Sequence, residues 1–304
     1  MKVLIVALAA VIASSAPFSS QTPPEMRDLV DALPSGTTRV DQLAITADRK
    51  RTYFVNSAGE AWLYDRESQK TGRVVVGPLW DLTLSPSGTS LAYTKAGDRR
   101  GDQYVWSIAL DPATGLNSGA ERRLSVHQGD VPSLSPDGTL VAFARDDDAG
   151  VGQTIVVVPI NGGNERVVTS VPSSAANIRW TPDGKTLFVG VNAPVACVPE
   201  WSCLPLTPEL RQPPGTIRRV PVSGGEATIV TTARGPSPGL SPDGTTLMYL
   251  DASTTRRWVV ANDVPQLHTR RLTFTFELIL RARDVRVPNG ARMENGSPFS
   301  TATR

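Results

Sequence analysis

Residues 235–239 read Gly-Pro-Ser-Pro-Gly and match in form the Gly-x-Ser-x-Gly turn that exposes a nucleophilic serine. That chemistry needs a strand before the serine and a helix after it. Here proline flanks Ser237 on both sides and a strand-like run follows, so a loop role is expected. Asp146, Asp147 and Asp148 could offer oxygens to calcium, but the EF-hand spacing and its closing glutamate are absent. Carboxylates on a connecting loop are otherwise solvated. His127 and His268 lack a second histidine or an aspartate at ligand or relay spacing, and each reads as a surface or rim residue. No residue is assigned to catalysis or to a metal. No cofactor is expected, calcium at the Asp triplet being the sole alternative.

Cys197 and Cys203 lie six apart in a proline-rich stretch, Ala-Cys-Val-Pro-Glu-Trp-Ser-Cys-Leu-Pro. A local disulfide is the first expectation in an oxidising compartment, and closing so small a loop would stabilise by roughly 2 kcal/mol. Two free thiols are the alternative; a metal site would want more Cys or His than the chain has. Trp201, inside this loop, is the aromatic side chain with the best case for touching a ligand.

The elements that must position these residues follow from composition and pattern. The chain has 304 residues, with 31 Lys+Arg against 29 Asp+Glu. A net charge of +2 argues against a nucleic-acid binder, which carries a clustered basic excess. Glycine and proline number 25 each, an excess of turn formers that leans toward an all-β chain. Forty per cent hydrophobic residues is ample for a core.

The first residues read as an export signal. Lys2 supplies a positive n-region, residues 3–13 are an apolar run, and small residues follow at 13–16. Eleven residues at 1.5 Å each cover about 16 Å, roughly half a hydrocarbon core, so no membrane span is expected. Residues 1–15 are assigned to the signal, with cleavage after Ser15. The mature chain is then periplasmic or secreted.

Self-comparison organises the rest. Four segments match closely, at 82–93, 132–143, 178–189 and 238–249, and a weaker fifth at 43–54. Thr46, Ser85, Ser135, Thr181 and Ser241 mark the repeat, with spacings of 39, 50, 46 and 60. This is the period of a propeller blade of four short strands. Each motif, Ser/Thr-Pro-Asp-Gly, is turn chemistry: proline presets φ, aspartate bonds the local backbone and glycine takes the left-handed position. The turn residues are Ser85, Pro86 and Gly88; Ser135, Pro136, Asp137 and Gly138; Thr181, Pro182, Asp183 and Gly184; Ser241, Pro242, Asp243 and Gly244. All are read as structural. The first repeat has Ala47 and Arg49 in place of Pro and Gly, and the second has Ser87 for Asp.

After each turn, apolar residues recur two apart, as Leu91/Tyr93, Val141/Phe143, Leu187/Val189 and Leu247/Tyr249, with mostly apolar residues between them. Both faces of that strand are therefore buried, as in a sheet packed between sheets. Looser strands follow at 61–65, 103–109, 154–158 and 217–222. Further ones, at 122–125, 165–169 and 227–231, complete a meander.

The Ser-Pro-Asp-Gly turn, the apolar strand, the Tyr-Val-Trp strand at 104–106 and the Arg-Arg-Leu-Ser run at 122–125 resemble the TolB-like (WD40-like, PD40) repeat. The resemblance covers residues 40–272. It implies an all-β propeller of four-stranded antiparallel blades, commonly six. Five motifs are visible; a sixth blade would combine residues 22–40 with 274–280, the alternative being that this blade is incomplete. The domains are then the signal at 1–15, an N-terminal segment at 16–39, the propeller at 40–280 and a polar tail at 281–304.

The resemblance implies a non-enzymatic module that binds a protein or cell-envelope component, with no nucleic acid, as a monomer. Two alternatives stand beside it. One is an enzyme centred on the channel, of the lyase, lactonase or cyclotransferase type. The other is an accessory propeller separated from a peptidase or sensor partner.

Overall fold

The computed structural model describes residues 4–5, 29, 32–35, 37, 39–99, 101–147, 152–193, 214–233, 236–241, 243–250, 258–262 and 268–270. The chain divides into two compact units, Met1–Thr273 and Phe274–Arg304, and every described residue belongs to the first.

Five sheets follow one another along the chain, each a meander whose spatial order is its sequence order. The first holds β1 (Leu4–Ile5), β2 (Arg39–Ile45), β3 (Arg51–Asn56), β4 (Ala61–Asp65) and β5 (Lys70–Val75). The second holds β6 (Leu79–Leu84), β7 (Ser90–Ala96), β8 (Gln103–Ala109) and β9 (Arg122–Arg123). The third holds β10 (Gly129–Leu134), β11 (Leu140–Asp146), β12 (Gln153–Pro159) and β13 (Arg166–Val171). The fourth holds β14 (Ala175–Trp180), β15 (Thr186–Val191), β16 (Gly215–Pro221) and β17 (Thr228–Ala233). The fifth holds β18 (Gly239–Leu240), β19 (Thr246–Leu250), β20 (Trp258–Asn262) and β21 (His268–Arg270). All pairings are antiparallel except β1 with β2, where Leu4 and Ile5 lie parallel to Arg39 and Val40. The first strands β2, β6, β10 and β14 meet their successors in turn, so they are the inner strands of a radial array.

The second strand of each sheet shows why the repeat packs this way. Its side chains alternate between two seams. Leu91 and Tyr93 join Tyr53, Val55 and Leu63 between the first and second sheets, while Ala92 faces Val141 and Phe143 in the next seam. Ala142 and Ala144 then meet Ile178, Leu187 and Val189, and Phe188 meets Leu247 and Tyr249. One apolar cluster therefore fills each seam, and period two in sequence becomes burial on both faces. Tyr93, Phe143 and Phe188 are completely buried; each such side chain is worth roughly 1.5–3 kcal/mol.

The remaining face of the first sheet, at Val40, Phe54 and Tyr64, is covered by Leu29 with Ala32 and Leu33. Residues 39–40, assigned by sequence to a possible sixth blade, start the inner strand of the first. The other segment of that blade, 274–280, lies outside the described residues.

Candidate functional site

The two ends of the array differ in kind. At one end the five motif turns line up. In the third repeat the Ser135 amide donates to the Leu140 carbonyl at 2.9 Å and Gly138 N donates to the Ser135 carbonyl at 2.9 Å. The Ser135 hydroxyl accepts from Leu140 N at 2.9 Å and donates to Asp137 Oδ1 at 2.5 Å. Asp137 Oδ1 also accepts from the amide and hydroxyl of Thr139. The same pattern recurs at Thr46/Asp48, Thr181/Asp183 and Ser241/Asp243. The motif hydroxyl, then the amide two residues beyond the aspartate, hold Asp48, Asp137, Asp183 and Asp243 below the usual carboxylate range. Asp243 falls to about 2.

Gly88, Gly138, Gly184 and Gly244 adopt φ of 70°, 71°, 68° and 73°, the region glycine enters without steric cost. Arg49 takes the same place with φ 59°, so the turn survives the loss of its glycine. In the second repeat the Ser87 hydroxyl stands in for the missing carboxylate, 3.2 Å from Ser85 Oγ and 2.7 Å from Thr89 Oγ1. Each turn also leans on the one before it: a Cβ on Gly88 would sit 3.3 Å from Thr46 Cγ2, one on Gly138 3.4 Å from Ser85 Cβ, and one on Gly244 2.6 Å from Pro182 Cδ. Shallow clefts remain between neighbouring turns. One of about 270 Å³ lies among Thr46, Asp48, Arg51, Pro86 and Gly88. Another, of about 290 Å³, lies among Thr181, Asp183, Arg219, Asp243 and Gly244.

At the other end the inner strands are bulged. Register shifts fall at Val40/Gln42, Trp80/Thr83, Asp130/Ser133 and Ala175/Asn177. The bulges turn polar side chains inward and give Asp81 and Val131 positive φ, 56° and 45°. Thr94 Oγ1 donates to Asp81 Oδ2 at 3.5 Å. Gln103 Nε2 crosses from the second sheet to Asp130 Oδ2 at 3.3 Å. Gln153 bridges onward, donating to Asp146 Oδ1 at 3.1 Å and accepting from Ala175 N at 2.7 Å. Burial pushes the Asp81 carboxyl up, against the Val131 amide and Thr94 hydroxyl. Burial, then the charges of Asp81 and Asp146, raise Asp130 to about 7, against the amides of Gln153 and Gln103. Among the described residues, no three His, Cys, Asp or Glu side chains gather at metal-binding range.

The structure places the residues singled out by sequence as follows. Pro236 and Pro238 are buried around Ser237, and the next residues are strand β18 and then a motif turn. Asp146 is committed to Gln153, and Asp147 Oδ2 accepts from Gly152 N at 3.1 Å; Asp148 lies outside the described residues, as do Pro242, Cys197, Cys203 and Trp201. His127 is exposed, and His268 begins β21. Sequence reasoning missed Asp81, Asp130, Gln103 and Gln153. Their signal was present: Asp81 stands four residues before Ser85, and Asp130 five before Ser135, each the one charged residue of its inner strand.

No family model matches the chain. Among solved structures, TolB from Acinetobacter baumannii superposes with a TM-score of 0.53 at 19% identity, covering 76% of this chain and 52% of that one. A putative TolB from Agrobacterium tumefaciens gives 0.56 at 18% identity, covering 76% of this chain and 79% of that one. The fold is a TolB-like β-propeller. Other propellers share it: the tricorn protease gives 0.57 at 12% identity, with 78% of this chain and 26% of that one covered. In sequence, a stretch of 117 residues, 37% of this chain, is 29% identical to the uncharacterized peptidase YuxL of Bacillus subtilis (strain 168). That stretch covers only 17% of the peptidase's own length. No described helix is long and apolar enough to cross a membrane.

Proposed function

We propose that this protein is an exported, periplasmic or secreted, propeller that acts without catalysis as a binding and scaffold module for a protein of the cell envelope. The observation that carries the reading is how the repeat spends its polar groups. The motif carboxylates Asp48, Asp137, Asp183 and Asp243 are all satisfied by their own turns. They build the frame and leave the clefts and the bulged end as recognition surface. The TolB-like fold supports the same reading, since the resemblance of the repeat implies protein binding. The test is capture from envelope extract by the immobilised chain, followed by reconstitution with the purified candidate. A saturable complex of fixed stoichiometry supports the reading; no partner, together with turnover of a small substrate, rejects it.

The stretch shared with the peptidase favours a second reading, a propeller that serves a separately encoded hydrolase. Under it, the captured partner is a hydrolase whose peptide turnover changes when the propeller is added.

A further inference from the structure

The outer edges of the sheets are unequally protected. A last strand presents a row of backbone donors and acceptors to any extended segment that comes alongside, and proteins blunt such edges with charge, shortness or bulges. β5 carries Lys70 and Arg73, β9 consists of Arg122 and Arg123 alone, and the short β21 ends on Arg270. β13 opens on Arg166, whose Nη1 reaches across to the Val222 carbonyl at 2.7 Å. β17, Thr-Ile-Val-Thr-Thr-Ala, has no charged residue, and all but its last are β-branched. Its register shift past Val230 recurs past Val74 in β5 and Val168 in β13, so the bulge does not set β17 apart. Among the described residues no further strand pairs with β17. Ile229 is 59% exposed, and Thr228 and Thr232 are exposed along the same strand.

The strand behind this edge is unusual in charge. Ion pairs tie carboxylates to cations in the first three sheets, as Arg51 to Asp65, Lys95 to Glu121 and Arg145 to Glu165. Among the described residues none forms in the fourth, where Arg179, Lys185, Arg218 and Arg219 stand against Asp183 and Glu226. Asp183 is engaged by the Thr181 hydroxyl and the Lys185 amide. Glu226, in the turn between β16 and β17, is exposed and in no ion pair. Arg219 lies opposite Thr228 and Arg218 opposite Ile229, so the two side chains leave β16 on opposite faces, next to the open edge. Arg219 is exposed, and Arg218 Nε has only the uncharged Thr216 Oγ1, at 3.2 Å.

We propose that β17 is a docking edge for an extended segment of a partner protein, one that adds to the fourth sheet as a further strand and carries two adjacent acidic residues. The inference rests on the binding role proposed above and gives the partner its chemistry. Backbone pairing supplies affinity, and side chains at alternating positions supply the choice of partner. Adjacent strands are about 4.8 Å apart, which sets an incoming strand about 10 Å from β16. An arginine and a glutamate side chain together span that gap. Successive residues of a strand face opposite ways, so one acid of the pair meets Arg218 and the other Arg219. A second copy of this chain fits the edge less well: β17 against β17 would bring the arginines of both copies toward each other with no carboxylate between them.

The probe is a capped peptide of valine and threonine with two adjacent central glutamates, set against the same peptide with two lysines. Added to the full chain, the glutamate peptide is expected to slow hydrogen exchange at the β17 amides, with binding that saturates and weakens as salt rises. The lysine peptide is expected to bind roughly tenfold more weakly. Arg218→Glu combined with Arg219→Glu is expected to reverse the preference between the peptides, and Ile229→Lys to weaken both. Equal affinity for the two peptides overturns the proposal, as does glutamate-peptide binding that leaves β17 unprotected. Dimers of the chain that Ile229→Lys disperses also overturn it, by assigning the edge to a second copy. The wild-type comparison of the two peptides needs no variant, so it decides alone if a variant does not fold. The binding role is read separately. An envelope partner still captured by Ile229→Lys overturns this edge and keeps the role; no envelope partner, with glutamate-peptide binding intact, overturns the role and keeps the edge.

Discussion

At the scale of single residues, the motif serine or threonine does more than begin a turn. Ser135 receives the Leu140 amide and gives its own hydroxyl proton to Asp137, so one oxygen ties both sides of the turn together. Ser135→Ala should therefore cost about 1–3 kcal/mol, the range for stranding a polar partner, while Ser135→Thr should cost little. Urea denaturation of the two variants would separate them. The aspartates give the molecule an acid limit. Asp48, Asp137, Asp183 and Asp243 hold their protons less tightly folded than unfolded, so their stabilisation is present above their ordinary value of 3.8. It is lost as pH falls through their depressed values, toward about 2 for Asp243. Thermal midpoints should drop over that interval, and less steeply in a variant with all four replaced by asparagine.

At the scale of strands and seams, contacts between sheets decide the geometry. Trp180 on β14 donates its indole proton to the Ser133 carbonyl on β10 at 2.9 Å, and Tyr53 on β3 reaches the Gly115 carbonyl of the second sheet at 2.9 Å. Gly190 on β15 is more exacting. A Cβ there would lie 1.5 Å from the Pro236 carbonyl oxygen, a contact that backbone must move to relieve. Gly190→Ala should destabilise by about 1–3 kcal/mol or more through overpacking, measurable as a lowered denaturation midpoint, with the largest loss of amide protection in the fourth and fifth sheets. These elements were unequally legible in the sequence. The strands around each motif could be read because a local turn and a period-two apolar pattern specify them, as at Leu91/Tyr93 and Val141/Phe143. The bulges at Asp81 and Asp130 could not, because a register shift depends on the partner strand. Arg49 shows the converse: its left-handed turn is imposed by Thr46 and Asp48 although the residue type argues against it.

At the scale of the whole molecule, the described seams join each sheet to its sequence neighbour, and each has its own apolar cluster. Phe143→Ala, in the seam between the second and third sheets, should cost about 3–5 kcal/mol. Hydrogen exchange should report the loss mainly in those two sheets, with the seam around Tyr249 least affected. The propeller itself was legible because a repeat multiplies a weak local signal; the bulged end was not, because its residues come together only once the sheets are stacked. The row of turns, in which the glycine of each repeat rests against the turn before it, has one more consequence. Every described docking surface is built by chain that has already been made when the next blade arrives. A chain emerging amino terminus first can add its described blades in the order they appear, each finding its template waiting.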